Sequence, residues 1–244
     1  MSRQEIVPER LSGATVVVVD VFLATTTLIA ILENGARSVY PVGTLEEAEE
    51  VRAGLDAGRL VRGGEQDAAR IDGYDLGPFP EEYPPEVVSG RDVIFVTTNG
   101  TRAIAAAEPA ERVIVGCLRN APAVARYLDS METGSVYLVC AGSGGRFALE
   151  DFVGAAAILS RMDTAGWRLN DGAWMALDLM ERYRDREKEA LRQGRAGRWF
   201  FDHGRIETFD FAADVGASEL VPEVRGGRLR HAGEREVRPA PEQS

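Results

Sequence analysis

Three short segments of this chain carry residues able to handle a phosphate group, and they lie far apart in the sequence. The first is Asp20 with Thr25, Thr26 and Thr27. A carboxylate at the end of an apolar run is costly unless it is paired, hydrogen-bonded or metal-bound. Asp20 could ligate a divalent cation or attack phosphorus as a nucleophile. The three threonines would add hydroxyl and N–H donors for phosphate oxygens at a helix start. The plainer alternative is an N-cap or turn aspartate.

The second segment is Thr97, Thr98, Asn99, Gly100 and Thr101, with hydroxyl, amide and backbone donors on one turn. Taken alone it reads as a capped helix start. Paired with the Asp20 loop at another strand end, it becomes a second wall of an anion site. The third is Gly142, Ser143, Gly144 and Gly145, followed by Glu150 and Asp151. Its glycine spacing is not the dinucleotide fingerprint, and it lacks a P-loop lysine. An anion-binding nest and a simple tight turn both fit it. Glu150 and Asp151 fall in the first turn of a helix, where the dipole favours acids regardless of function.

Glu65 and Asp75 also sit near glycines. Either could join Asp20 around a Mg²⁺ ion that keeps several waters. Arg119, Asn120 and Arg146 flank the turns, and the arginines could bind carboxylate or sulfonate oxygens bidentately.

Composition removes other chemistries. The net charge of -11 argues against nucleic acid, because neutralising phosphates needs clustered cations. Lys188 is the sole lysine, so a Schiff-base or P-loop lysine is excluded as a theme. His203 and His231 are too few for a histidine-rich zinc site or a Ser-His-Asp triad with supporting material. Any metal must then be held by oxygen ligands, which points to Mg²⁺ or Mn²⁺. Cys117 and Cys140 end apolar runs and read as reduced core thiols. The amino-terminal residues lack an apolar signal region, and no stretch is long enough to span a bilayer. The expectation is a soluble cytoplasmic protein with no membrane partner.

The elements that must position these residues alternate. The β-branched run 14–21 reads as a strand buried on both faces, followed by a helix over 28–32 and a strand over 38–42. Thr44 and Glu47 form a capping box opening the next helix. Strands are expected at 93–96, 112–115 and 136–139, with helices at 102–107, 120–128 and 147–162. Residues 62–85 read as a long irregular loop, 177–193 as one charged helix, and 221–231 as a hairpin. The passages 14–60 and 92–130 look like a pseudo-repeat. Together they predict one three-layer α/β/α domain over 1–238, with a mainly parallel or mixed sheet and a disordered tail at 239–244. In such sheets ligands bind at the carboxyl ends of strands, where all three segments fall.

The combination resembles the 2-phosphosulfolactate phosphatase family. The segment from Asp20 through Val21, Phe22, Leu23 and Ala24 to Thr27 looks like that family's Asp-Val-Leu/Phe-Arg-Ala-Thr/Ser-Thr-Thr. Gly73-Tyr74-Asp75-Leu76-Gly77, Thr97 to Thr101, and Cys140-Ala141-Gly142 with Leu149-Glu150-Asp151 recur in the family's order. The resemblance implies a Mg²⁺-dependent phosphatase that converts 2-phosphosulfolactate, an acidic phosphate monoester of coenzyme M biosynthesis, into sulfolactate and phosphate. It also implies a three-layer fold and a homo-oligomer. On that reading Asp20, Asn99, Glu150 and Asp151 are catalytic, and Asp20, Glu65 and Asp75 hold metal. The substrate-binding set is Thr25 to Thr27, Thr98, Gly100, Thr101, Arg119, Asn120 and Gly142 to Gly144.

The departures bear on the substrate. Leu23 stands where relatives have arginine, and Gln66 stands in place of another. Each charge-assisted bond to an oxyanion is worth roughly 1.5–3 kcal/mol, so two losses amount to about 100-fold or more in affinity. A non-catalytic protein that binds an anionic metabolite in the same cleft is the alternative. Phe22 occupies the position where some phosphatases place a second aspartate, which weakens a covalent route through Asp20; the residues leave both routes open.

Overall fold

The computed structural model describes residues 1–67, 69–131 and 134–232; the tail expected at 239–244 lies outside them. The β-branched run becomes β1 (Thr15–Val19), all five residues of which are buried. Branched side chains are stiff at χ1 and pack well on a pleated surface, so a valine run sandwiched on both faces is stable as a strand. The chain continues through α1 (Ala24–Glu33), β2 (Ser38–Val42), α2 (Leu45–Ala53) and β3 (Leu60–Gln66). A two-residue β4 (Ala69–Arg70) and α3 (Pro85–Val88) lead to β5 (Asp92–Val96). Then come α4 (Gly100–Ala106), β6 (Arg112–Gly116), α5 (Ala121–Asp129), β7 (Val136–Cys140) and α6 (Leu149–Leu159). Four helices follow: α7 (Asp171–Tyr183), α8 (Glu187–Gln193), α9 (Arg195–Asp202) and α10 (Ile206–Ala212). The hairpin β8 (Pro222–Arg225) and β9 (Arg228–His231) ends the described chain.

The strands form one mixed sheet in the order β4-β3-β5-β2-β9-β8-β6-β1-β7. Two parallel triplets, β3-β5-β2 and β6-β1-β7, are joined by the carboxyl-terminal hairpin. The successive pairings β2–β9, β9–β8 and β8–β6 are all antiparallel, so the triplets point in opposite directions. The order is palindromic: β1, β2 and β3 occupy places equivalent to β5, β6 and β7. In each passage the first strand crosses through a helix to the other triplet, and a second helix then leads to the triplet's edge. The resemblance between 14–60 and 92–130 thus has a topological counterpart that runs one strand further in each half.

The faces separate by the two-residue strand period. Val16, Val18, Val93, Phe95, Val113 and Val115 pack with Leu28, Ile29 and Ile31 of α1 and Ala103 of α4. On the opposite face, Val17, Val19 and Ile114 pack under α5 and α6, while Ile94 and Val96 pack with Ala48 of α2. Helices therefore cover both faces, giving the expected three layers. Among the described residues no helix is long and apolar enough to cross a membrane.

Two expectations are corrected. Residues 62–66, expected to open a loop over 62–85, instead belong to β3, the longest strand among the described residues. Gly63 and Gly64 look like turn residues, yet close approach requires them: a Cβ would lie 1.9 Å from the Tyr83 hydroxyl and 1.9 Å from the Val96 carbonyl oxygen, respectively. The charged helix expected at 177–193 is two helices, broken where Asp185 takes a φ of 63°.

Candidate active site

Asp20 follows the last residue of β1, and its backbone is locked by Thr25. The Asp20 N–H donates to Thr25 Oγ1 at 3.0 Å, and Thr25 Oγ1 donates back to the Asp20 carbonyl at 2.7 Å. Thr26 Oγ1 donates to the Val21 carbonyl at 2.8 Å and Thr27 Oγ1 to the Pro78 carbonyl at 2.8 Å. All three threonines are fully buried. Their hydroxyls are spent on the main chain, so the expectation that they grip phosphate oxygens is corrected: they fix the turn that presents Asp20.

The Asp20 carboxylate is 6% exposed, and the backbone amides of Ala24 and Gly100 act on it to favour its charge. The starts of the two crossover helices therefore come near one carboxylate. Gly100 is required there, since a Cβ would lie 2.5 Å from the Ala24 Cβ and 2.9 Å from Asp20 Oδ2. From the third segment, Asp151 accepts the Val21 N–H at 3.0 Å and the Gly142 N–H at 2.8 Å. This ties the β1 turn to the glycine-rich turn after β7. Gly142 holds a φ of 76°, and Ser143 and Arg146 close the turn with two backbone bonds of 3.0 and 3.1 Å. Gly144 is exposed at its tip.

Glu150 sits beside Asp151, buried at the start of α6. Asp20 is raised to about 7, first by burial and then by the charge of Glu150, with Glu65 adding and the Ala24 and Gly100 amides opposing. Burial also holds Asp151 well above the usual carboxylate range, with Asp20 and then Glu150 contributing. Glu150 is raised by burial and eased by its own amide and by Arg195. The charges of Asp20, Glu150 and Asp151 thus act on one another, and Glu65 acts on Asp20.

Glu65 approaches from the end of β3, accepting the Thr98 amide at 2.6 Å and the Thr98 hydroxyl at 3.1 Å. Thr101 is buried and bonded to Thr97. Asn99 is the N-cap residue of α4, partly exposed, and its side chain makes no capping bond.

Three expected ligands lie elsewhere. Asp75 is exposed and accepts the Arg62 N–H at 2.8 Å; the charges acting on Asp20 are those of Glu150 and Glu65. Arg119 stacks over Phe211 at 3.8 Å, donates to its carbonyl and pairs with Glu33 at 3.4 Å. Asn120 accepts the Cys117 N–H and donates to the carbonyls of Val115 and Leu220. The Asn120 side chain is saturated by the fold, whereas Arg119 Nε is buried without a hydrogen-bond partner and Asp75 remains exposed. Cys117 and Cys140 are free and buried, and burial pushes the Cys140 thiol up to about 12.

Among the described residues, no three Cys, His, Asp or Glu side chains surround one point closely enough to hold a metal by themselves. A cavity of about 840 Å³ opens along the β7 edge between α6 and α7, lined by Leu138, Phe152 and Trp167, with none of the clustered carboxylates. Asn99, Glu65, Ser143 and Leu23, on the turns that carry the cluster, are all partly exposed.

The family model for 2-phosphosulpholactate phosphatase matches residues 1–227. A protein of Caldanaerobacter subterraneus named probable 2-phosphosulfolactate phosphatase is 35% identical over 221 residues, covering 90% of this chain and 91% of that one. Proteins of the same name from Symbiobacterium thermophilum and Deinococcus radiodurans are 38% and 35% identical. They cover 91% and 93% of this chain and 95% and 97% of their own lengths. A full-length match of this kind, over the elements that bring Asp20, Gly100 and Asp151 together, places the chain in the 2-phosphosulpholactate phosphatase family of phosphoric monoester hydrolases.

Proposed function

We propose that this chain is a divalent-cation-dependent phosphatase that hydrolyses a small acidic phosphate monoester, 2-phosphosulfolactate being the ester its relatives are named for. The observation that carries the reading is the buried Asp20 carboxylate, set beside the starts of α1 and α4 and coupled in charge to Glu150 and Asp151. Family membership favours hydrolysis over a non-catalytic anion-binding role.

The donor set fits Mg²⁺. All donors are hard oxygens, the thiols are buried, and Mg²⁺ needs only one or two carboxylates while keeping waters and substrate oxygens. Asp20 and Glu150 would hold it, with Glu65 nearby. When bound, the ion supplies charge neutralisation for the phosphoryl oxygens. The remaining work falls to the chain itself. Thr25 and Asp151 hold the β1 turn still, which keeps Asp20 within the small tolerance that positioning requires. The Asn99 amide, free of a capping role, donates to a phosphoryl oxygen. Hydrolysis adds water across the ester: the P–O bond to the organic group breaks, water oxygen joins phosphorus, and a water proton ends on the leaving alcohol.

Phe22 packs its ring against Phe200 at 4.6 Å and Phe209 at 5.6 Å between centroids. The position two residues after Asp20 is therefore an aromatic anchor with no acid, which favours direct attack by water. The deciding experiment is phosphate release from 2-phosphosulfolactate with Mg²⁺ and with chelator, alongside trapping of ³²P on the protein. Release that needs the cation, with no label retained, is expected. Equal release in chelator removes the cation from the reading, and acid-stable label on Asp20 replaces water attack with a phosphoenzyme.

A further inference from the structure

We propose that the cleft where β2 and β9 part, lined by Arg37, Arg228 and Arg230, is a second anion site that takes the dianionic phosphate group of a small molecule, free phosphate or a phosphate on an organic body. The proposal is independent of the phosphatase reading and concerns the other end of β5. Asp92 opens β5 and borders this cleft, whereas Thr97 to Gly100, the turn that reaches Asp20, follow the last residue of that strand. Five residues of strand put about 16 Å between the two.

The sheet itself opens the cleft. β2 meets β9 through the single pair Val39 with Leu229. Beyond that pair, Arg37 and Ser38 on one strand and Arg230 and His231 on the other border a cavity of about 560 Å³. Leu32, Ala36 and Leu220 supply apolar wall, which gives room for an organic body beside the phosphate.

Cations collect here in a protein whose net charge is -11. Arg37 is anchored: its Nε donates to Asp92 Oδ1 at 2.9 Å and its Nη2 donates to Oδ2, while Asp92 is fully buried. Nη1 is left without a partner among the described residues. Arg228 and Arg230 stand two apart on β9, so they share one face, away from the buried Leu229. Among the described residues, neither donates a side-chain hydrogen bond or has a carboxylate within 4.0 Å. Glu223 is the register partner of Arg230 in the hairpin, but its carboxylate takes Arg225 at 2.7 Å and Arg112 at 3.7 Å. Asp92 is the sole carboxylate among the residues lining the cavity, and Arg37 neutralises it. The guanidinium charges of Arg228 and Arg230 remain, the complement of one dianion, in forks suited to phosphate oxygens. The larger cavity along the β7 edge, by contrast, is lined by one arginine, Arg168.

Calorimetry on the full chain tests this, in chelator and in slightly alkaline buffer, where both probes are dianions. The probes are inorganic phosphate and phenylphosphonate, whose P–C bond is not a phosphatase substrate. Tighter binding of phenylphosphonate identifies an organic phosphate as the occupant, and tighter binding of inorganic phosphate identifies the free ion. Arg228→Ala should weaken binding about 10- to 100-fold, the worth of one charge-assisted contact, and Arg228→Lys should recover part of it. Arg230→Gln should show a loss of the same size and serves in place of Arg228→Ala if that variant does not fold. Asp20→Ala, at the carboxylate cluster, and Arg52→Ala, on the surface of α2, should leave binding unchanged. Wild-type protein that binds neither probe overturns the proposal. So does equal binding by the wild type and the Arg228 and Arg230 variants, or binding that is lost with Asp20→Ala.

Discussion

Replacing Asp20 by asparagine should make the metal-free protein more stable at pH 8 while abolishing its activity. The ordinary aspartate carboxyl titrates at 3.8, and in the fold it is raised to about 7, first by burial and then by Glu150. Holding it ionised at pH 8 costs the native state about 4 kcal/mol. Asparagine removes that cost but also weakens the favourable interaction of the carboxylate with the Ala24 and Gly100 amides. That loss returns about 1–3 kcal/mol. The net gain is about 1–3 kcal/mol, which is roughly 2–10 °C in Tm for a chain of this size.

The sign with pH follows from the direction of the shift. A raised carboxyl binds its proton more tightly in the folded state, so the wild-type protein loses stability as pH rises from about 4 to about 7. The advantage of Asp20→Asn should therefore be absent at pH 4, grow through that window and level off near pH 8. Mg²⁺ should raise the wild-type Tm more than that of the variant and close the gap. Thermal melts at four pH values with chelator and with Mg²⁺ measure all of this, and phosphate release should drop by at least 10²-fold. A variant equally destabilised at pH 4 and pH 8, or one that keeps its activity, refutes the reasoning about this carboxylate.

Gly100→Ala should cost about 1–3 kcal/mol and depress turnover, because its Cβ would press on Ala24 and Asp20 Oδ2; urea midpoints and kcat check it together. Asp75→Ala should leave the Mg²⁺ concentration for half-maximal rate within about twofold, since its carboxylate serves the Arg62 amide on an exposed loop; a tenfold rise would return it to the metal site. Asn120→Ala removes three bonds to buried main chain and should lower stability by about 2–4 kcal/mol, while the KM of the folded enzyme stays close to that of the wild type.

Much of the fold is legible because its signals are local. The valine run of β1, the capping box of Thr44 and Glu47 and the glycine turn after β7 each announce themselves within a few residues. The strand over 60–66 is hidden for an equally clear reason. Gly63 and Gly64 read as turn residues, and only the presence of Tyr83 and Val96 across the sheet explains them. The break at Asp185 is invisible for similar cause, because polar periodicity continues through it.

The site shows the same division. Residue type and spacing are enough to single out Asp20, Gly100 and the Glu150-Asp151 pair, because a carboxylate or glycine at a strand end needs an explanation wherever the chain goes. What each side chain faces depends on atoms supplied from far along the chain. The Thr25 to Thr27 hydroxyls could have pointed at a ligand, but carbonyls within 3 Å claimed them. The Asp75 carboxylate takes the Arg62 amide, and Arg119 pairs with Glu33 and stacks over Phe211. Sequence alone determined which elements form and which groups could react, since backbone propensity and burial period are short-range. Tertiary structure alone decided which of those groups share one pocket, since hydrogen bonds and charge coupling act over a few ångströms of space, whatever the separation along the chain.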